Sequence, residues 1–179
     1  MSQFRLHNTP TLADRWHNFI LHLQHRHLNK TVFCERGVQL YRFAKNIRLD
    51  DSVYLKRNSI IGSASPNGLV TVGRNTTLGF NSIIMASQKI EIGDNVMIAP
   101  NVYIVDSNHG TSHLKPFNRQ DNISSPIQIG SNVWIGAGAI ILAGVKIPDN
   151  TIIGAGALVN KPIENAGIYV GMPAKKVIQ

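Results

Sequence analysis

From Ile92 onward an aliphatic residue returns every six positions: Ile92, Ile98 and Ile104, then Ile129, Ile135, Ile141, Ile147, Ile153 and Val159. Upstream the same spacing joins Val72, Leu78 and Ile84, and more weakly Leu49, Leu55 and Ile61. Three places after most of these stands Asn58, Asn75, Asn81, Asn95, Asn101, Asn132 or Asn150, or else Gly138, Gly144 or Gly156. Gly, and next best Asn, tolerate the left-handed backbone that a sharp corner needs. The next position is small or β-branched, as at Ser59, Thr76, Val102 and Ala157. Each six-residue unit therefore reads as a short strand plus a corner. A lone unit cannot bury its apolar side, so the units must stack into an all-β solenoid.

The rhythm breaks from Ile61 to Val72, from Ile84 to Ile92 and from Ile104 to Ile129, each time after three units. If three units make one triangular turn, every insertion leaves along the same edge. The long loop at about 105–128 is then the natural place for a site, since long loops in compact domains tend to carry function. Ahead of the repeats, Leu12, Trp16, Phe19, Ile20 and Leu23 fall at helical spacing. They predict an amphipathic helix over 11–28 that caps the open end of the solenoid. Weak association with a membrane surface is its alternative role. The chain divides into a capping segment at 1–45, the hexapeptide-repeat solenoid at 46–164 and a tail at 165–179.

Composition changes the picture in three ways. The 179 residues suit one domain with an appendage and a real core. A single cysteine, Cys34, cannot form an internal disulfide, and residues 1–10 lack an apolar leader, so a cytoplasmic protein is expected. No run approaches the roughly 20 apolar residues of a membrane span. The net charge of +8 is uneven, with ten Lys/Arg against four Asp/Glu in residues 1–60. That skew favours anionic company, such as phosphorylated ligands or a membrane surface. No aromatic-rich basic motif is present, so no nucleic-acid partner is expected.

The tandem hexads, the interrupting "SNHG", the block "IGSNVWIGAGAIILAGVKIPDNTIIGAGALVNK" and the closing "GMPAKKVI" resemble the hexapeptide-repeat acyltransferases. The likeness is greatest to maltose and galactoside O-acetyltransferases and to those of capsule and lipopolysaccharide synthesis. It implies a left-handed parallel β-helix, a homotrimer with sites between subunits, and acetyl-CoA as cosubstrate with no metal. Handedness follows from the resemblance alone, because ordinary parallel crossovers are right-handed.

Acetyl transfer to a hydroxyl calls for a general base, and histidine has a suitable pKa. The resemblance places the catalytic histidine at His109. Asp106 is a candidate to orient its imidazole, as carboxylates do in serine-protease triads. The resemblance assigns the oxyanion donor to the backbone N–H of Ala137. It assigns cofactor contacts to Trp134, Ala137, Ala155, Asn160, Lys161 and Lys175, with the two lysines on the nucleotide phosphates. Asn81 and His113 are candidate acceptor contacts, although Asn81 also reads as an ordinary corner and His113 as a loop residue.

The expected activity is O-acetylation of a sugar hydroxyl in surface-polysaccharide synthesis. N-acetylation of a nucleotide-linked amino sugar is the alternative, and a noncatalytic scaffold is a second. The γ-class carbonic anhydrases share such a solenoid, but they need three histidine ligands. His109 and His113 are the only histidines beyond the helix segment, too few for a catalytic zinc site.

Overall fold

The computed structural model describes residues 10–177. Its chain coils as a triangular solenoid with three parallel sheets for faces. The first face stacks Phe33–Cys34, Tyr54–Leu55, Thr77–Leu78, Met97–Ile98, Trp134–Ile135, Ile152–Ile153 and Ile168–Val170, then adds Lys175–Lys176 antiparallel. The second stacks Gln39–Arg42, Ile60–Ser63, Ile83–Ala86, Tyr103–Val105, Ile140–Ile141 and Leu158–Val159. The third stacks Ile47–Leu49, Leu69–Val72, Lys89–Ile92, Ile127–Ile129 and Lys146–Ile147.

The hexad residues explain this form directly. Every aliphatic residue of the six-residue series, from Leu49 to Val159, points inward and is at most 7% exposed. The compact residues one place past the corners are buried as well, from Ser59 to Ala157. Each corner Asn or Gly of the series has positive φ, between 54° and 81°. Ser52, Arg42 and Gly37 turn the first coils in the same way. Two buried hydroxyls tie successive coils together. Thr76 accepts from Val96 N at 3.1 Å, and Ser82 accepts from Val102 N at 3.0 Å.

Register shows where the insertions go. Trp134 pairs with Ile152, a plain turn of three hexads, whereas Met97 pairs with Trp134 across the long insertion. All the insertions lie between the second and third faces, at 64–68, 87–88 and 106–126. They share one edge of the prism, as the spacing requires. The longest is not a plain loop. Ser107–His109 pairs antiparallel with Asn122–Ser124 to form a projecting arm.

Three boundaries differ from expectation. The solenoid begins at Phe33, inside the segment assigned to capping, because Gly37 and Arg42 turn the first coil where the hexad pattern is blurred. Cys34 therefore belongs to the first coil and is fully buried. The tail continues the first face, since Ile168 pairs with Ile152. Finally, the helix, α1, spans Leu12–Gln24 and stops at His25.

The helix caps the open end as expected, and its orientation is a finding of the structure. Its apolar side faces outward, with Leu12, Trp16, Phe19 and Leu23 52–86% exposed. Its polar side meets the solenoid, where Asp14 and Leu21 are buried. The open end of a solenoid presents unpaired strand-edge N–H and C=O groups, and buried backbone groups must be satisfied. The polar side of α1 supplies the partners. Asn18 accepts from Cys34 N at 2.9 Å and Asp14 from Arg36 N at 3.0 Å. His17 and His22 each place Nε2 on a carbonyl of the first coil, those of Val38 and Val32. Thr11 and Asp14 form a capping box at the helix start.

Candidate active site

The arm that carries His109 has a rigid root. Asp106 is fully buried, and its carboxylate accepts N–H bonds from Ser87 at 2.6 Å, Gln88 at 2.8 Å and Lys89 at 2.7 Å. Asp106 therefore stitches the arm to the short insertion of the coil below. Both its oxygens are engaged there, and among the described residues it makes no bond to His109. An orienting role for Asp106 toward the imidazole finds no contact. Ser107 accepts from Ser87 Oγ at 3.0 Å, and Ser125 N donates to Asp106 O at 2.8 Å, closing the root.

Beyond the root, His109 lies opposite Asn122 and is exposed. The tip is held by Gln120, whose amide bonds Ser112 N and the carbonyls of Ser112 and Lys115. His113 sits on that tip, exposed. Leu114, Phe117 and Ile123 are 93%, 59% and 62% exposed, so the arm presents apolar surface away from its own solenoid.

The other candidates lie elsewhere on the prism. Ala137 and Ala155 occupy successive coils at the corner between the first and second faces, and Gly156 N donates to Ala137 O at 2.8 Å. Gly136 N and Gly138 N are both paired, whereas among the described residues Ala137 N has no partner. A donor that is unpaired and exposed can receive an oxyanion. Beside the corners there is open space: a Cβ added at Gly138 or Gly156 would meet nothing within 4 Å. Asn81 turns an earlier corner on this same edge with φ 56°, so its backbone role is secured by the fold.

Trp134, 48% exposed, stands on the first face and lines a cleft of about 150 Å³ with Met97, Pro100, Phe80 and Lys56. The Lys56 ammonium lies 5.0 Å over the Phe80 ring. Lys56 and Phe80 were not foreseen from the sequence. The available signal was a large aromatic at a corner position that holds Pro100, Ala137 and Ala155 in later coils.

Asn160, Lys161 and Lys175 come together around one cleft of about 340 Å³, with Tyr169 and Pro173. The tail makes this possible by folding back, with Val170 paired to Lys175 and Ala174 N donating to Leu158 O at 2.8 Å. The Met172–Pro173 peptide is cis. Two exposed lysines on one cleft suit a polyphosphate.

The structure thus brings Trp134, Ala137 and Ala155 to the first face and the first–second edge, and it sets His109 on the second–third edge, where Asn160 and Lys161 leave the second face two coils later. The second face separates His109 from Ala137 within one chain. Cys34 offers no rival nucleophile, as burial pushes its thiol up to about 12. Among the described residues no cluster of three potential metal ligands occurs, and no helix is long and apolar enough to cross a membrane.

Comparison with known proteins gives the following. Residues 126–161 match the bacterial transferase hexapeptide model of six repeats, and residues 69–105 match the hexapeptide repeat of succinyl-transferase. The left-handed coil expected of the hexads fits both. The galactoside O-acetyltransferase of Escherichia coli K12 is 41% identical over 60% of this chain and 53% of its own length. The chain thus matches about half the length of that curated relative. A maltose O-acetyltransferase structure from Clostridium difficile 630 is 30% identical, covers 97% of this chain and 80% of its own, and superposes with a TM-score of 0.60. A galactoside acetyltransferase in complex with coenzyme A is 29% identical over 97% of this chain and 74% of its own, with a TM-score of 0.62.

Proposed function

The chain belongs to the hexapeptide-repeat acyltransferases, and on that premise we propose that it moves the acetyl group of acetyl-CoA to a sugar hydroxyl, in surface-polysaccharide synthesis. One observation carries the reading. The arm with His109 and the edge with the unpaired Ala137 N–H lie on different edges of one prism. A second copy must bring them together, which a homotrimer with sites between subunits does. The outward rows favour such packing. On the first and second faces they hold Met97, Trp134, Ile152, Tyr103, Ile140 and Leu158, whereas the third face shows Arg48, Glu91, Gln128 and Lys146.

In this arrangement Lys161 and Lys175 hold the nucleotide phosphates, with Asn160 beside them, and the pantetheine arm runs past Ala155 toward Ala137 and Trp134. The sugar hydroxyl lies between His109 and the thioester. His109 takes the hydroxyl proton as the oxygen attacks the acyl carbon. The Ala137 N–H stabilises the oxyanion of the tetrahedral intermediate. Collapse expels the coenzyme A thiolate, which recovers the proton from His109. Transfer is direct, because Cys34 is buried and no other thiol exists.

Coenzyme A release with a panel of galactosides, maltose and related sugars tests this reading. His109→Ala is expected to lower turnover by about 10²–10⁴-fold, the usual worth of a general base, while the affinity for acetyl-CoA is kept. Undiminished turnover in that variant would remove His109 from the mechanism. Acetylation of amino sugars alone would replace the hydroxyl acceptor by an amine.

A further inference from the structure

The outward stripe of α1 is not used by the fold or by the transfer reaction. Leu12, Trp16, Phe19 and Leu23 are 86%, 66%, 52% and 52% exposed. Trp16 and Phe19 rest against each other with ring centroids 5.8 Å apart. From Leu12 to Leu23 the stripe runs about 16 Å along the helix. A helix that caps a solenoid would ordinarily turn such residues inward. Here the inward side is committed to polar bonds with the first coil, so rotation would break the bonds of Asp14, Asn18, His17 and His22.

The charges of the segment that carries the stripe point to its occupant, with Asp51 of a neighbouring coil meeting that segment only at Asn29, past the helix end, at 2.6 Å. Among residues 10–30 the exposed charged side chains are Arg15, Arg26 and Lys30, all cationic. The one acid of this segment, Asp14, is buried against Arg57 at 3.0 Å. We infer that α1 is a docking element for an anionic lipid surface, lying in the interface with its aromatic stripe among the acyl chains and with Arg15, and Arg26 and Lys30 just past its end, at the head groups. Apolar residues, a Trp and flanking cations are the composition such interfacial helices use. The anionic leaflet attracts the cations within a Debye length. A second copy of this chain suits the stripe less well. Pairing two copies of α1 face to face would bring like charges together.

The proposal goes beyond acetyl transfer and is tested without it. The full-length protein is sedimented with vesicles of phosphatidylcholine alone and of phosphatidylcholine mixed with phosphatidylglycerol. Binding is expected to the mixed vesicles, weakening with added salt and nearly absent on pure phosphatidylcholine. W16S/F19S changes two exposed side chains and is expected to lower binding by at least about tenfold. R15E/R26E keeps the stripe and is expected to lose the preference for phosphatidylglycerol. No sedimentation of the wild-type protein with mixed vesicles overturns the inference. So does binding that neither double substitution alters. A fall in molar mass by light scattering for W16S/F19S, without wild-type lipid binding, would assign the stripe to subunit contact instead.

Discussion

Three backbone N–H groups converge on one buried carboxylate at Asp106, and that arrangement sets the worth of the residue. Asp106→Ala leaves the N–H groups of Ser87, Gln88 and Lys89 without their acceptor in a buried place. Each such orphan costs on the order of 1–3 kcal/mol before relaxation. The variant should therefore lose at least about 2 kcal/mol in urea unfolding, with activity falling as the arm loosens. A variant as stable as wild type would show that the arm does not depend on this root. The sequence offered Asp106 as an acid three residues from a histidine, which is local information. Its true partners lie 17–19 residues back, in a different coil, and only the stacking of insertions on one edge reveals them. The corner residues were the opposite case. Asn81 or Gly138 announces a left-handed corner by its own backbone tolerance, so those positions were legible without tertiary knowledge.

At the level of the element, α1 shows how far pattern carries. Its existence and its start were readable from periodicity. Its orientation was not, because an apolar stripe normally means core. What reversed it is a property of the solenoid: its end shows strand edges, and Asp14 is worth more there than a leucine. Burial alone would raise the Asp14 carboxyl pKa. Hydrogen bonds from Arg57 and Thr11 and from the backbone N–H groups of Arg36 and Thr11 outweigh burial and hold it well below the usual carboxylate range. A depressed folded-state pKa gives stability that is complete above the unfolded value, about 3.9, and is lost as pH falls below it. Asp14→Asn should therefore cost on the order of 2 kcal/mol at neutral pH, from the capping box and the pair with Arg57. The gap between variant and wild type should close as pH falls below about 4. A gap that is constant across that range would contradict the charged role of Asp14. The hairpin of the projecting arm was equally hidden in the sequence. Its strands pair only three residues and bury little, so no alternation marked them.

The whole molecule is a rod with His109 and Ala137 on two different edges, and the proposed site takes them from two copies. Mixing two inactive proteins tests it. His109→Ala lacks the proposed base, and Ala155→Trp blocks the open corner beside the proposed pantetheine path. Refolded together, the two should recover about a quarter of wild-type turnover, since each site takes its base and its corner from different copies. No recovery would place both groups in a site made by one chain. The hexads made the rod legible almost completely from the sequence. The grouping of parts on edges followed from where the spacing breaks. The clefts did not follow, since they depend on the tail folding back beside Leu158 and on side chains such as Lys56 that no repeat marks.

The central claim is that this rod binds an acyl-CoA donor, and calorimetric titration of the purified full-length protein with acetyl-CoA and with coenzyme A tests it most directly. The account predicts saturable binding of both, with one site per chain, weakened in Lys161→Ala and Lys175→Ala. A folded protein that binds neither ligand would contradict the account and leave the solenoid a scaffold without a donor.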